Sequence, residues 1–241
     1  MSQHPDQNAA IWQSGQMAAT WAAEAAARER NHAAPWALMA GLLPFGPQDA
    51  FTFADLGAGT GNCARAVLRE YPASTAVLAD FSATMMGAGH EQMEPFRGRY
   101  RYLEFDLNKE DSWPAAMPAT LDAVLTSLCV HHLPDQRKAG LFAEILARLV
   151  PGGWYLNYDP VAAADPVVTA AWQRAADRGD PEAARKRASR TPEEQARWDN
   201  HVRYIAPLRP QLDYLRAAGF AGVAVYYQRL EYVIFGGCRP G

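Results

Sequence analysis

The chain has 241 residues, of which 49% are hydrophobic, and its formal net charge at pH 7 is −3. This length and apolar content suffice for one α/β domain with an additional capping segment. The slightly negative charge and the lack of a dense basic run argue against a nucleic-acid backbone as the main partner, and they favour a small molecule.

The N-terminal sequence, the apolar runs and the cysteines indicate where the protein is located in the cell and whether it binds a metal. We expect a cytoplasmic protein without a membrane span, because no charged leader precedes an apolar segment and no apolar run reaches about 18 residues. The three cysteines, Cys63, Cys129 and Cys238, lack the spacing of metal ligands and leave an odd thiol, as expected in a reducing compartment. On this ground no metal is predicted.

Residues 51–62 predict a short buried strand, a glycine-rich turn and the start of a helix. Gly57, Gly59 and Gly61 alternate in this turn, and glycine allows the backbone to approach a ligand closely at the carboxyl end of the strand. Dinucleotide-binding turns have the spacing G-x-G-x-x-G, whereas the third glycine comes one residue sooner here. The turn therefore predicts a ligand crevice of another kind.

Two further strands end in carboxylates. Residues 76–80 form a short apolar strand that ends at Asp80, and residues 100–107 predict a strand that ends at Asp106. Asp80 comes 19 positions after Gly61 (80 − 61), close to the spacing of about 20 that places an acidic residue on a ribose diol. Asp106 could accept a hydrogen bond from an adenine amino group. Both carboxylates would then bind one nucleoside.

The next segments continue the alternation of strands and helices. Residues 121–128 predict a fourth strand, and Asp135 is the predicted N-cap of the helix that follows. A proline and two glycines at 151–153 are expected to end this helix, and residues 154–158 predict a fifth strand. Such alternation implies parallel pairing through right-handed crossovers. We therefore predict a doubly wound α/β sheet that is covered on both faces.

These motifs together resemble the class I S-adenosylmethionine-dependent methyltransferases. The resemblance covers roughly residues 50–160 and 207–238, and it rests on the following sequences: Asp55-Leu-Gly-Ala-Gly-Thr-Gly61, Asp80-Phe-Ser82, Asp106-Leu107, Asp122-Ala-Val124 with His131-His132, and Pro151-Gly-Gly153. It implies a seven-stranded, mostly parallel, Rossmann-like sheet whose last strand is antiparallel. It also implies S-adenosyl-L-methionine as cofactor and S-adenosyl-L-homocysteine as product.

The resemblance assigns the cofactor-binding residues one by one. The turn of Gly57, Ala58, Gly59 and Gly61 would face the methionine part, with Asp55 supporting the turn. Asp80, followed by Phe81, would bind the ribose, and Asp106 with Leu107 would bind the adenine. Ser127, or the backbone near it, would lie beside the methionyl amino group.

Two segments outside the sheet are expected to cover the site. They are an N-terminal helical cap over residues 1–45 with several tryptophans, Trp21 and Trp36 among them, and a helical lid over residues 161–206. The core then spans residues 50–160, and residues 207–241 form the last helix and a closing strand pair. The residues expected to contact the substrate lie in these segments and at the end of the fifth strand: Trp21, Tyr158, Asp159, Trp198 and Arg203.

The candidate bases are histidines, because an imidazole titrates nearest to neutral pH. His132 and His201 rank ahead of His131, and the alternative is that one imidazole of the pair only orders the loop.

Three functions remain open from sequence. The first is a methyltransferase that acts on a small molecule by direct in-line displacement. The second is a carboxy-S-adenosylmethionine synthase, which the C-terminal residues 220–237 also resemble. That enzyme would need an arginine such as Arg203 or Arg209 to hold the added carboxylate. The third is a catalytically silent protein that binds the cofactor.

Overall fold

A computed structural model describes residues 25–241 of the chain. Trp21, one of the expected substrate contacts, lies outside these residues. Within the described part, no helix is both long and apolar enough to cross a membrane.

Strands and helices alternate along the chain. The strands are β1 (Thr52–Leu56), β2 (Thr75–Asp80), β3 (Tyr100–Glu104), β4 (Leu121–Ser127), β5 (Leu149–Pro160), β6 (Ala221–Arg229) and β7 (Tyr232–Cys238). The α-helices of the described residues are α1 (Ala25–Gly41), α2 (Asn62–Glu70), α3 (Ala83–Met93), α4 (Asp135–Arg148), α5 (Pro166–Gly179), α6 (Pro181–Ala188), α7 (Pro192–His201) and α8 (Leu208–Ala218). Short 3-10 turns cover Glu94–Phe96 and Val130–His132.

All seven strands belong to one sheet with the order β3-β2-β1-β4-β5-β7-β6. β1 pairs in parallel with both β2 and β4, although β4 follows β3 in the chain, so the strand order reverses between β1 and β4. β7 is antiparallel to both of its neighbours, β5 and β6. The predicted fold class is thus confirmed, and the point of reversal is where open α/β sheets place their ligands.

Alternate strand residues pack on opposite faces of the sheet, as the pleat requires. On one face, Leu56 and Val124 pack with Phe142 of α4. On the other face, Phe53 and Leu125 belong to a second apolar cluster that includes α1 and α2. Helices therefore cover both faces of the sheet, and their packing fixes the positions of the strand ends.

Three boundaries differ from the predictions. β3 ends at Glu104, so Asp106 follows the strand in a loop. Residues 151–153 remain part of β5, because the backbone of Gly152 and Gly153 exchanges hydrogen bonds with Arg239. Asp135 is the first residue of α4 rather than its N-cap, and its carboxylate pairs with Lys138 at 3.0 Å.

The segment after β5 folds into α5, α6 and α7. Thr191 and Glu194 form a reciprocal capping box at the start of α7. The C-terminal end of this segment is hydrogen-bonded to the core, because the fully buried ammonium of Lys138 donates to the backbone carbonyl of Tyr204. This hydrogen bond places His201, at the end of α7, close to the loop that follows β4.

Candidate active site

A cavity opens at the carboxyl ends of β1, β2 and β4, at the point where the strand order reverses. The empty space between its walls amounts to about 980 Å³, counting space that opens to solvent. Its lining residues come from the glycine turn, the ends of β2 and β4, the loop after β3 and α1: Trp36, Asp55, Gly57, Ala58, Gly59, Asn62, Cys63, Asp80, Phe81, Ser82, Met85, Phe105, Asp106, Leu107, Asn108, Ser127, Leu128, Cys129, His132 and Leu133.

Gly57, Ala58 and Gly59 form one wall of the cavity, whereas Gly61, also predicted to bind the cofactor, lies outside its lining. Gly57, Gly59 and Gly61 have φ values of 69°, 52° and 81°, a conformation that favours glycine. A Cβ at Gly57 would also lie only 2.5 Å from the Cβ of Cys129. The turn is tied to β2, because the N–H groups of Gly57 and Ala58 donate to the same carbonyl, at 2.8 Å and 3.2 Å. Glycine at position 57 is thus required for both its backbone angle and its lack of a side chain.

Asp80 lies at the tip of β2 with its carboxylate facing the turn. One oxygen accepts from the N–H of Gly59 at 2.7 Å, and the other accepts from the N–H of Ser82 at 2.8 Å. Burial raises the pKa of Asp80, and backbone N–H donors, including that of Phe81, oppose this shift. The carboxylate is therefore fixed in orientation, while each oxygen keeps a lone pair that a ligand hydroxyl could use.

Asp55 lies at the floor of the cavity, just before the turn. Its carboxylate accepts the N–H of Ala64 in the first turn of α2 at 3.0 Å, so it joins β1 to that helix. Burial raises the pKa of Asp55 to about 7, with a further increase from the charge of Asp80, while the Ala64 bond and Arg65 act in the opposite direction. Asp55 is thus both a support of the turn and part of the lining.

The raised pKa of Asp55 predicts a specific pH dependence of stability. The folded protein keeps this proton between about pH 4 and pH 7, whereas the unfolded chain has released it, so rising pH destabilises the fold over this window. Asp55→Asn lacks this titration. We expect the stability of the variant relative to the wild type to rise by about 2–3 kcal/mol between pH 5 and pH 8. Urea unfolding of both proteins without ligand, at several pH values, measures this difference, and a pH-independent difference would contradict it.

The loop after β3 supplies Asp106 and Leu107 to the opposite wall. Asp106 accepts from the backbone N–H of Asn108 at 3.0 Å and lies 3.7 Å from the ammonium of Lys109. The buried Arg137 guanidinium fixes this loop by donating to the Leu107 carbonyl at 2.7 Å, and it is paired with Glu144 at 2.6 Å. A buried ion pair on α4 therefore positions a loop whose side chains face the cavity.

The end of β4 forms a third wall. The Ser127 hydroxyl accepts a hydrogen bond from the Trp36 indole at 2.8 Å, which brings α1 to the cavity. Leu128 has a φ of 56°, which is rare for a side chain of this size, and its N–H donates to the Tyr158 carbonyl at 2.8 Å. The Cys129 thiol donates to the Leu56 carbonyl at 3.1 Å. The backbone is thus strained at the point where β4 meets the cavity, as is common at functional sites.

Three histidines meet beside this wall. The ring centroids of His131 and His132 are 4.0 Å apart, and the His201 ring lies 4.8 Å from that of His132 and 5.6 Å from that of His131. Of the three, His132 lines the cavity. The His131 ring is buried and its Nδ1 lies 2.7 Å from an oxygen of Asp159.

The surroundings of His132 and His201 favour the neutral imidazole. Burial lowers the pKa of His132 to about 2, with further contributions from the neighbouring His131 and His201. Burial likewise lowers the pKa of His201 to about 4, with a contribution from His131. Both rings are therefore neutral at neutral pH, and they would hold a transferred proton only weakly.

Four of the predicted substrate contacts lie elsewhere. Tyr158 is buried in the core, where its hydroxyl bonds to His32 at 2.9 Å, because alternate residues of β5 face the helices. Asp159 is 1% exposed and is used by the ring and the backbone N–H of His131. Trp198 is 42% exposed and lies under the guanidinium of Arg190. Arg203 is exposed and lies over a neighbouring tyrosine. The lining does not include any of these side chains.

The sequence did not identify several lining residues as site residues. Trp36, Asn62, Met85 and Phe105 contribute to the walls of the cavity. Trp36 was visible only as one aromatic residue of the N-terminal segment, and Met85 and Phe105 match the pattern of ordinary core residues. Their exposure to the cavity depends on how helices α1 and α3 pack on the sheet.

The chain is similar to several methyltransferases. Residues 53–153 match a family described as a methyltransferase domain. The curated trans-aconitate 2-methyltransferase of Azoarcus sp. (strain BH72) is 30% identical over 105 residues, which make up 44% of this chain and 37% of that protein.

Solved structures extend the likeness over almost the whole chain. An O-methyltransferase family protein from Burkholderia thailandensis has a TM-score of 0.69 and 18% identity, covering 98% of this chain and 63% of that one. Human N-acetylserotonin methyltransferase, solved in complex with SAM, has a TM-score of 0.57 and 17% identity, covering 96% of this chain and 56% of that one. At these identities the likeness establishes the fold. This chain spans less than two thirds of each of these three proteins.

Proposed function

We propose that this chain is a class I S-adenosylmethionine-dependent methyltransferase that transfers a methyl group to an oxygen of a small molecule by direct in-line displacement, and the match of residues 53–153 to a methyltransferase domain supports this. The resemblance to these methyltransferases that the sequence motifs indicated is confirmed. The similarity to carboxy-S-adenosylmethionine synthases is not supported by these relatives. We propose both that the methyl acceptor is a small molecule and that the methylated atom is an oxygen.

The charge of the cavity lining is the observation that carries the proposal. Asp55, Asp80 and Asp106 contribute carboxyl groups, and none of the described residues that line the cavity is a lysine or an arginine. Such a lining suits a ligand with a sulfonium and an ammonium group, because carboxylates attract positive charge. The charge of the lining therefore agrees with a sulfonium cofactor.

The residues present fit the cofactor in shape as well. Gly57 and Gly59 line the cavity without side chains, and Asp80 presents a carboxylate held by two backbone donors. In the proposed arrangement Asp80 binds the ribose hydroxyls, Asp106 with Leu107 binds the adenine, and Ser127 lies beside the amino group. When bound, the cofactor supplies an electrophilic methyl group on a positive sulfur.

The contribution of the protein is mainly alignment. Correct orientation of two reactants can lower the barrier by about 7–11 kcal/mol, whereas a general base typically adds about a hundred- to ten-thousandfold. The low pKa values of His132 and His201 make them weak proton acceptors. We therefore assign to His132 the task of accepting a hydrogen bond from the acceptor hydroxyl and orienting its oxygen; the proton that the hydroxyl loses on methylation passes through this weakly basic ring to solvent. His201 and His131 support the His132 ring from the other side.

An oxygen acceptor is favoured by two features. The neutral His132 imidazole can accept a hydrogen bond from a hydroxyl or an un-ionised carboxyl group in the cavity. The curated relative is a trans-aconitate methyltransferase, and one solved neighbour belongs to an O-methyltransferase family. Helices α5–α7 would then serve as the lid over the acceptor, with water excluded from the reacting groups.

The carboxy-S-adenosylmethionine synthase alternative is not favoured. It would need an arginine near the cofactor, and both candidates, Arg203 and Arg209, are exposed and lie outside the cavity lining.

Binding and label transfer test the proposed function. Calorimetry with S-adenosylhomocysteine should show one site per chain, and NAD should not bind. Incubation with methyl-labelled cofactor and a panel of phenols, hydroxy acids and tricarboxylic acids, including trans-aconitate, should label at least one acceptor at oxygen. NAD binding in place of S-adenosylhomocysteine would overturn the proposal, and cofactor binding without transfer to any acceptor would favour the silent binding protein.

A further inference from the structure

We propose that His131, His132 and His201 bind one divalent transition-metal ion of the zinc class beside the cavity. Each ring offers one nitrogen, and these three atoms lie within 4.8 Å of one another. The prediction of no metal rested on cysteine spacing and did not consider histidines from distant segments. His201 comes from α7, whereas the other two belong to the turn after β4.

The spacing is close to that of a metal site. Zn²⁺ binds histidine nitrogens at about 2.0–2.1 Å in a tetrahedral arrangement, which places two ligand nitrogens about 3.4 Å apart. The most widely separated atoms of the cluster therefore need to approach by about 1.4 Å. His201 is the last residue of α7, outside the sheet, so its ring can adjust without a change in the strands.

Asp159 gives His131 the surroundings of a metal ligand. Its carboxylate oxygens lie 2.7 Å from the ring Nδ1 and 3.1 Å from the backbone nitrogen of His131, and Asp159 is 1% exposed. A carboxylate accepts only, so Nδ1 carries the proton and the lone pair is at Nε2. Metal-binding histidines commonly donate their second N–H to a carboxylate, which fixes the ring and makes the free nitrogen a stronger ligand.

The donor set selects the metal. Three imidazole nitrogens without a carboxylate in direct reach suit zinc, cobalt or nickel, whereas magnesium and calcium prefer oxygen ligands. His132 also lines the cavity, so the metal site adjoins the space assigned to the acceptor. A neutral imidazole has one lone pair, so in the metal-bound state the open coordination position, in place of the His132 nitrogen, would contact the acceptor oxygen. A site with three protein ligands and one open position has the composition of a catalytic rather than a structural zinc site.

Metal titration of the untagged full chain tests this inference without cofactor or acceptor, so its outcome is independent of the proposed methyl transfer. After treatment with a chelator, the chain should bind one equivalent of Co²⁺ and show the visible bands of four-coordinate cobalt, and Zn²⁺ should displace them. Zn²⁺ should also raise the melting temperature, because a ligand that binds only the folded state stabilises it. Absence of saturable binding at one equivalent would overturn the inference.

Variants identify the ligands. His201→Ala and His132→Ala should each lower Zn²⁺ affinity by roughly 100-fold or more, and Asp159→Asn by roughly 10–100-fold. His90→Ala is the matched control, because His90 is exposed on α3 and pairs with Tyr100 outside the cluster. Circular dichroism checks the fold of each variant, and His132→Gln or His201→Gln replaces the alanine variant at the same position if that variant fails to fold. Unchanged Zn²⁺ affinity in the folded His201 and His132 variants would assign these rings to packing alone.

Discussion

Replacing Asp80 by alanine is expected to lower the affinity for S-adenosylhomocysteine by roughly 10²–10⁴-fold. A hydrogen bond to a charged group contributes about 1.5–3 kcal/mol, and the proposed role gives Asp80 two such bonds to the ribose hydroxyls. The carboxylate is already held by Gly59 and Ser82, so binding the ligand requires little further ordering of this side chain. Calorimetry on the wild type and on Asp80→Ala measures the loss directly.

The control for Asp80 is a second aspartate at the opposite end of the sheet. Asp122 at the start of β4 accepts the backbone N–H of Thr52 at 2.8 Å, so Asp122→Ala also removes a carboxylate that satisfies the main chain. It lies outside the cavity lining. We expect Asp122→Ala to leave S-adenosylhomocysteine affinity within about twofold of the wild type. If Asp122→Ala lowers this affinity as much as Asp80→Ala does, the effect at Asp80 reflects general destabilisation of the fold.

Gly57→Ala is expected to lower the free energy of unfolding by about 2–5 kcal/mol and to weaken cofactor binding as well. Two separate costs contribute. The φ of 69° strains any residue with a Cβ, by about 1–2 kcal/mol. The new Cβ would also lie 2.5 Å from the Cβ of Cys129 and 2.6 Å from its sulfur, and such overpacking costs about 1–3 kcal/mol. Urea unfolding and calorimetry with S-adenosylhomocysteine measure the two effects.

Gly98 separates these two costs. It has a φ of 82°, but no atom lies within 4 Å of the point that a Cβ would occupy, so Gly98→Ala should show the backbone strain alone. A double-mutant cycle with Cys129→Gly should recover the contact cost of Gly57→Ala, about 1–3 kcal/mol, and leave the strain. If Gly57→Ala and Gly98→Ala lower the free energy of unfolding equally, the close contact with Cys129 is not the reason that position 57 requires glycine.

The residues predicted for the cofactor and those predicted for the acceptor differ in how well the sequence located them. Gly57, Asp80, Asp106 and Ser127 line one cavity, because each comes directly at or after a strand of the same parallel sheet. For such residues the position along the strand already specifies the edge of the sheet. Of the predicted acceptor contacts, Trp198 and Arg203 lie outside the sheet and had no such constraint, whereas Tyr158 and Asp159 lie at the end of β5 but outside the cavity lining.

Tyr158 shows why the acceptor residues were harder to place. It belongs to β5, whose residues alternate between the two faces, and its ring points into the core instead of the cavity. Trp198 lies on a helix after the strand, where its direction depends on the packing of α7, and it faces solvent beside Arg190. Residue type alone could not decide either orientation.

By itself, the sequence determined the order of strands and helices, the parallel sheet and the set of strand-end residues at one cleft, since hydrophobic periodicity and glycine spacing act over short distances along the chain. Only the tertiary structure decided that Trp36 reaches Ser127, that Asp159 serves His131, and that His201 meets His131 and His132. These contacts join segments far apart in the chain. Their formation depends on the packing of α1 and α7 against the finished sheet, which no local pattern specifies.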